Sequence, residues 1–342
     1  MNQARVLVQL ILLTAIGTLF VYPNSAPLSA SPRPEYGAAT TSLVAEWSFK
    51  RDITIENRGD EASDAVVQLW FTDNAFDYTN AKPNGADIRF STGSGKPDGD
   101  GLPYWIEQWN EQGVSRIWVR VPVLKAHGTT TIRMYYGNAG AQAASDGNTT
   151  FLFFDDFEDG DYPKKWTNTS IGDVVERDGL LKLKETDGQD GIITANFEVT
   201  GPLIIRTLYQ RGGGDEHWTR AGVGGWSHWL CFGDHTDNAA TGTNYVMLFD
   251  KASLNSLTSA PLVKSANTVI TDQWRRVAYW YDGQSLRGKQ DDVTVALPMP
   301  NASSKLTLRT LDNDHWDSFA YISVSAYLGA EPVVTMGKQE VN

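Results

Sequence analysis

A single cysteine, Cys231, stands in 342 residues. One thiol cannot close an intrachain disulfide, so cysteine usage says nothing about redox compartment. Basic residues are short too: 29 Lys and Arg face 41 Asp and Glu, a formal net charge of -12. Affinity for a polyphosphate depends on Lys and Arg neutralising phosphates, which excludes nucleic acid as a partner. No Gly-x-Ser-x-Gly elbow, phosphate loop or His-Glu-x-x-His helix occurs, nor the Glu-x-Asp-x-Glu strand of jelly-roll glucanases. The chain thus carries no catalytic signature. No helical hydrophobic period stands out, which argues against an α or α/β fold.

Long apolar runs are also missing, with one exception. Arg5 precedes an apolar stretch over 6–22, followed by Pro, Ser and Ala with Leu28-Ser29-Ala30 as a small-residue cleavage site. Residues 1–30 read as a signal peptide or a short membrane anchor, because the run lies at the short edge of spanning length and Gln9 interrupts it. Residues 31–44 read as a linker, and no later segment approaches a membrane span. The expected location is secreted or on the extracellular cell surface.

What is abundant is aromatic and turn-forming: 12 Trp, 13 Tyr and 13 Phe beside 31 Gly and 14 Pro. That balance favours strands and tight turns. Short alternating segments at 48–56, 65–71, 86–90, 104–109, 115–121 and 129–135 predict a β-sandwich over 45–140. Further segments at 180–184, 192–197, 203–209, 221–226, 244–249, 274–280, 292–296, 305–309, 319–326 and 333–337 predict a second, jelly-roll sandwich over 150–342. A short helix over 267–273 is the one expected exception. The fold class is therefore all-β, two sandwich domains in series.

Between the halves, Phe151-Leu152-Phe153-Phe154 runs into Asp155-Asp156-Phe157-Glu158-Asp159-Gly160-Asp161. Carboxylates at that density need a cation, basic partners or water. Asp155, Asp156, Glu158 and Asp159, completed by Asp317 ahead of a late strand, are the candidate oxygen ligands of a structural Ca²⁺. A solvated acidic turn with Lys or Arg partners is the other reading.

The second constellation is Asp215-Glu216-His217-Trp218, with Trp226-Ser227-His228-Trp229 after it and Trp316 further on. Sugars present apolar C–H faces and hydroxyl rims, so flat aromatics beside hydrogen-bonding groups suit a glycan. His217, Trp218, Trp226, His228, Trp229 and Trp316 are the candidate ligand contacts, with core packing as the alternative for any single Trp. A zinc site from His217, His228, Cys231 and His235 lacks a tight ligand pair. Asp215 and Glu216 are adjacent and point to opposite faces if extended, unlike the facing carboxylates of a glycosidase.

Five stretches of the first half, Trp47 to Ile55, Gly85-Ala86-Asp87-Ile88-Arg89-Phe90, Leu102-Pro103-Tyr104-Trp105-Ile106-Glu107, Ile117 to Pro122 and Tyr135-Tyr136-Gly137-Asn138, resemble the domain family DUF2341 of exported proteins. The segment from Phe153 to Glu158, Gly179-Leu180-Leu181 and the last strands resemble a concanavalin A-like, laminin-G-type jelly roll. These resemblances imply two sandwiches and bring no established activity. The combined expectation is an exported recognition or attachment protein that binds glycan or envelope polysaccharide through its second domain. A polysaccharide-degrading glycosidase or lyase is the alternative, as is a self-associating surface-layer or filament subunit.

Overall fold

Apolar residues at every second position decide which way each strand faces. In the stretch 65–71, Ala65, Val67, Leu69 and Phe71 enter one core, while Val66 turns the other way. The computed structural model describes residues 47–72, 75–93, 101–188, 191–210, 212, 218–223, 228–234, 244–250, 263–267, 274–290, 293–298, 303–311 and 316–342. For 218–223, 228–234, 244–250 and 263–267 the description is of backbone course.

The first sandwich contains β1 (Phe49–Asn57), β2 (Ala62–Thr72), β3 (Arg89–Thr92), β4 (Tyr104–Gln108), β5 (Val114–Leu124) and β6 (Gly128–Tyr136). The sheet β2-β5-β4 packs on a second sheet around Ile53, Ile55, Phe71, Phe76, Phe90, Ile117 and Tyr136. Asp87 is fully buried and accepts from the backbone N–H groups of Lys82, Gly137 and Asn138, pinning two loops. Arg89 binds the carbonyl of Ile88 and the Tyr104 hydroxyl. The two flank Ile88, yet each fastens backbone and not the other. Trp105 and Trp109 share a face by simple alternation, but a register shift between Ile106 and Gln108 turns Trp109 into the first core against Phe76 and Tyr78.

The second sandwich follows. Its strands are β7 (Phe153–Asp155), β8 (Trp166–Asn168), β9 (Asp173–Glu176), β10 (Leu181–Lys184), β11 (Ile192–Thr200), β12 (Leu203–Gln210), β13 (Trp218–Val223) and β14 (His228–Asp234). They continue with β15 (Asn244–Asp250), β16 (Val263–Asn267), β17 (Trp274–Tyr281), β18 (Ser285–Gln290), β19 (Val293–Pro298), β20 (Ser303–Leu311) and β21 (Asp317–Ala326). One sheet runs β19-β18-β17-β12-β21-β10-β9 with β7 added on β21; the other runs β16-β15-β14-β13-β20-β11-β8. Their shared core holds Trp166, Leu181, Ile193, Tyr209, Tyr279, Phe319 and Val324. The helix expected over 267–273 begins on the last residue of β16, and the rest of it lies outside the described residues.

The final strand, β22 (Val333–Val341), departs from the expectation that it closes the jelly roll. It returns to the first sandwich and pairs antiparallel with β1, giving the sheet β22-β1-β6-β3. Its apolar residues Val334 and Met336 pack on the first core, which the one-residue spacing of the pattern in sequence could not assign to either sandwich. Gly337 makes this docking feasible: a Cβ there would lie 2.7 Å from the Asp52 carbonyl oxygen, beside the register shift between Arg51 and Ile53. Because the chain enters, leaves and re-enters the first sandwich, Val44–Asn342 form one compact unit.

Candidate ligand site between the two sandwiches

The outward faces of two sheets meet at the seam. Val66 from β2, Trp105 from β4 and Trp118 from β5 pack against Phe151, Phe154 of β7 and Tyr321 of β21. Trp105 is the hub, with ring centroids 4.8 Å from Phe154 and 4.9 Å from Tyr321, both edge to face. Gly147 is needed here because an added Cβ would sit 2.3 Å from the Phe154 ring.

A polar network completes the seam. The Glu107 carboxylate of β4 accepts from Trp118 Nε1 at 2.8 Å and from Arg276 Nε of β17 at 2.8 Å. Burial and the neighbouring Glu107 charge push the Tyr321 phenol well above its ordinary range, with Arg276 and Arg206 pulling the other way.

Beside this network the two sheets part, and the linker over 327–332 bridges the gap. The resulting cavity has a volume of about 370 Å³ and is lined by Gln68, Trp70, Trp118, Arg206, Tyr327 and Glu331, with Val66, Ile204 and Met336 among its apolar walls. Trp70 stands at the opening, 59% exposed. The Arg116 guanidinium lies 5.7 Å from its ring centroid. Arg206 projects from the outward face of β12, lays its guanidinium 4.5 Å from the Trp118 ring centroid and donates Nη1 to Ser325 Oγ at 2.9 Å. Burial lowers its pKa to about 10, so it stays charged at neutral pH. The geometry offers the exposed indole of Trp70, an amide, a cation and a carboxylate around a space of ligand size.

None of the six residues expected to contact a glycan lines this cavity. His217 and Trp226 lie outside the described residues. Trp218 begins β13, opposite Gly233 of β14 on one side and Leu311 of β20 on the other. His228 and Trp229 begin β14, opposite Asp250 and Phe249 of β15. Backbone register therefore puts Trp218 at one end of this strand pair and Trp229 towards the other. Trp316 is 37% exposed, immediately before β21. Gln68, Trp70 and Arg206 line the cavity and were not among the expected contacts. Their signal is a large or charged side chain at the outward position of a strand that also faces a core.

The carboxylates expected to form a Ca²⁺ shell have partners within the protein. Buried Asp155 accepts from Trp166 Nε1 at 2.7 Å and from the Phe157 N–H, and it pairs with Lys165 Nζ at 3.4 Å. Asp317, fully buried, accepts from Thr310 Oγ1 at 2.8 Å, from the Tyr209 hydroxyl and from the Gly212 N–H. Lys164 pairs with both Asp159 and Asp161 and holds the Asp159 carboxyl below its ordinary range. Asp156 and Glu158 join no cluster: among the described residues no three His, Cys, Asp or Glu side chains gather as a metal shell. Lysines and an indole N–H thus give Asp155 and Asp159 compensating partners from the protein itself.

Residues 84–169 match a family described as "Domain of unknown function (DUF2341)". The matched segment runs past the first sandwich and includes the seam residues Trp105, Glu107, Trp118, Phe151 and Phe154. No curated protein matches the chain. Among solved structures, an endo-beta-1,3-glucanase from Pyrococcus furiosus aligns at 10% identity over 52% of this chain and 94% of that one, TM-score 0.39. The carbohydrate binding module CBM66 from Bacillus subtilis aligns at 10% identity over 47% and 96%, TM-score 0.32. The Emp46p carbohydrate recognition domain, in its metal-free form, aligns at 10% identity over 47% and 88%, TM-score 0.37. Among the described residues no helix is long and apolar enough to cross a membrane.

Proposed function

We propose that this protein is an exported recognition or attachment protein of the cell surface, and that it binds glycan in the cavity between its two sandwiches. The observation that carries the reading is the cavity itself, about 370 Å³ with Trp70 and Trp118 beside Gln68 and Arg206. The Trp70 indole face matches the C–H face of a pyranose, and the amide and guanidinium match its hydroxyl rim. Small-molecule sites commonly have this mix of apolar walls and a few convergent polar groups.

Binding is favoured over hydrolysis. A glycosidase needs two carboxylates about 5–10 Å apart across the bond. Among the described residues the lining of the cavity contributes one, Glu331. Export is supported by the apolar run over 6–22 and the small residues after it.

The test is a glycan array followed by turnover assays on every hit, with Trp70→Ala beside the natural protein. Retained glycan without product release, weakened by Trp70→Ala, is the expected result. Product release from any hit overturns the binding reading. Hits indifferent to Trp70 but lost on substitution of Trp218 or Trp229 move the site to the second sheet of the jelly roll.

A further inference from the structure

Arg206 brings to the cavity more hydrogen-bond donors than the seam uses. Its guanidinium has five N–H donors, and one of its nitrogens is spent on Ser325 Oγ. The Trp118 ring covers one face without accepting a hydrogen bond in the plane. Glu107, the nearby anion from the first sandwich, is already engaged by Trp118 and Arg276. Glu331, on the bridging linker, acts on Arg206 through space and makes no ion pair with it within 4 Å. Arg206 is partly exposed, with its side chain lining the cavity, so its remaining N–H groups are open to an acceptor from outside.

We infer that the cavity selects acidic glycans, with the carboxylate of a uronic-acid residue accepting from the free N–H edge of Arg206 and the sugar ring lying towards Trp70. The inference rests on the glycan-binding reading above and specifies its ligand. A planar carboxylate matches the planar fork in a way a hydroxyl does not. Glu331 sets the opposing term: its charge at the same cavity repels an acidic ligand and leaves a neutral one unaffected. Arg206 also holds the seam, so its loss alone is an ambiguous result, whereas Glu331 lies on the linker and bears on selectivity through charge.

The experiment is calorimetric titration with a galacturonate oligosaccharide, its carboxyl-reduced neutral counterpart and a sulfated galactose oligosaccharide, on the natural protein and on Arg206→Gln, Arg206→Lys and Glu331→Gln. Melting curves accompany each variant. The acidic sugar is expected to bind about 10-fold or more tighter than the neutral one. Arg206→Gln should remove that difference, and Arg206→Lys should restore it in part. Glu331→Gln should raise the ratio of acidic to neutral affinity by about threefold. Equal affinity for acidic and neutral sugars, a preference for the sulfated one, or no response to Glu331→Gln overturns the inference and leaves glycan binding standing. No binding of any sugar overturns the reading beneath it.

Discussion

Arg276 of the second sandwich and Glu107 of the first are joined across the seam, Nε to Oε1 at 2.8 Å, with the Glu107 side chain only 2% exposed. Such a carboxylate has no water to fall back on, and its other oxygen already serves the Trp118 N–H. The sandwiches are thereby fixed to one another by charge as well as by the aromatic cluster around Trp105.

Glu107→Ala is expected to cost about 1–2 kcal/mol, because it leaves the buried indole N–H of Trp118 without its acceptor, while Arg276, 44% exposed, turns to water. Calorimetry reads the effect: one cooperative transition in the natural protein should separate into two. A single transition with an unchanged midpoint counts against the seam as the coupling element.

Gly337→Ala should loosen the return of β22 to the first sandwich. The added methyl meets the Asp52 carbonyl at 2.7 Å, and neither backbone can yield freely inside a paired sheet. A loss of about 1–3 kcal/mol is expected, with faster amide exchange confined to β1 and β22. Unaltered exchange there would show that the strand is held by other means.

Alkaline pH should destabilise the fold through Tyr321. Its phenol is raised in the folded protein by burial and by Glu107, so the folded state holds a proton that the unfolded chain releases near pH 10. The stabilisation is complete below that pH and is lost as pH climbs above it. Arg206, whose pKa burial lowers, contributes with the opposite sign over the same range. Tyr321→Phe should flatten the fall in melting temperature above pH 10, and an unchanged slope would assign the effect elsewhere.

Asp155→Asn should cost about 1–3 kcal/mol, since the amide keeps one acceptor while losing the Lys165 charge and crowding the Trp166 N–H. A chelator should leave the melting temperature where it was. A chelator-dependent drop would restore calcium to the acidic turn.

Sequence alone indicated the all-β class and most strand positions because alternation at period two is a local signal. Ala65, Val67, Leu69 and Phe71 mark a buried face wherever the partner sheet lies. The return of β22 was illegible, since Val334 and Met336 fit either core and pairing with β1 spans nearly the whole chain. The cavity was hidden for a similar reason. Trp70 and Trp118 come together through the pairing of β2 with β5, and Arg206 of β12 joins them only when two outward faces stack. The acidic run pointed to compensation of charge, but the choice between a cation and Lys164, Lys165 and Trp166 needed coordinates.

The central claim is that sugar occupies the space between the sandwiches. Titrating a glycan identified on the array into the natural protein and into Trp70→Ala, with tryptophan fluorescence and heat followed together, tests it most directly. A saturable change is expected in the natural protein, with an affinity about 10-fold lower, equivalent to about 1.4 kcal/mol, in a Trp70→Ala variant that melts at the same temperature. Identical affinities in the two proteins would contradict it.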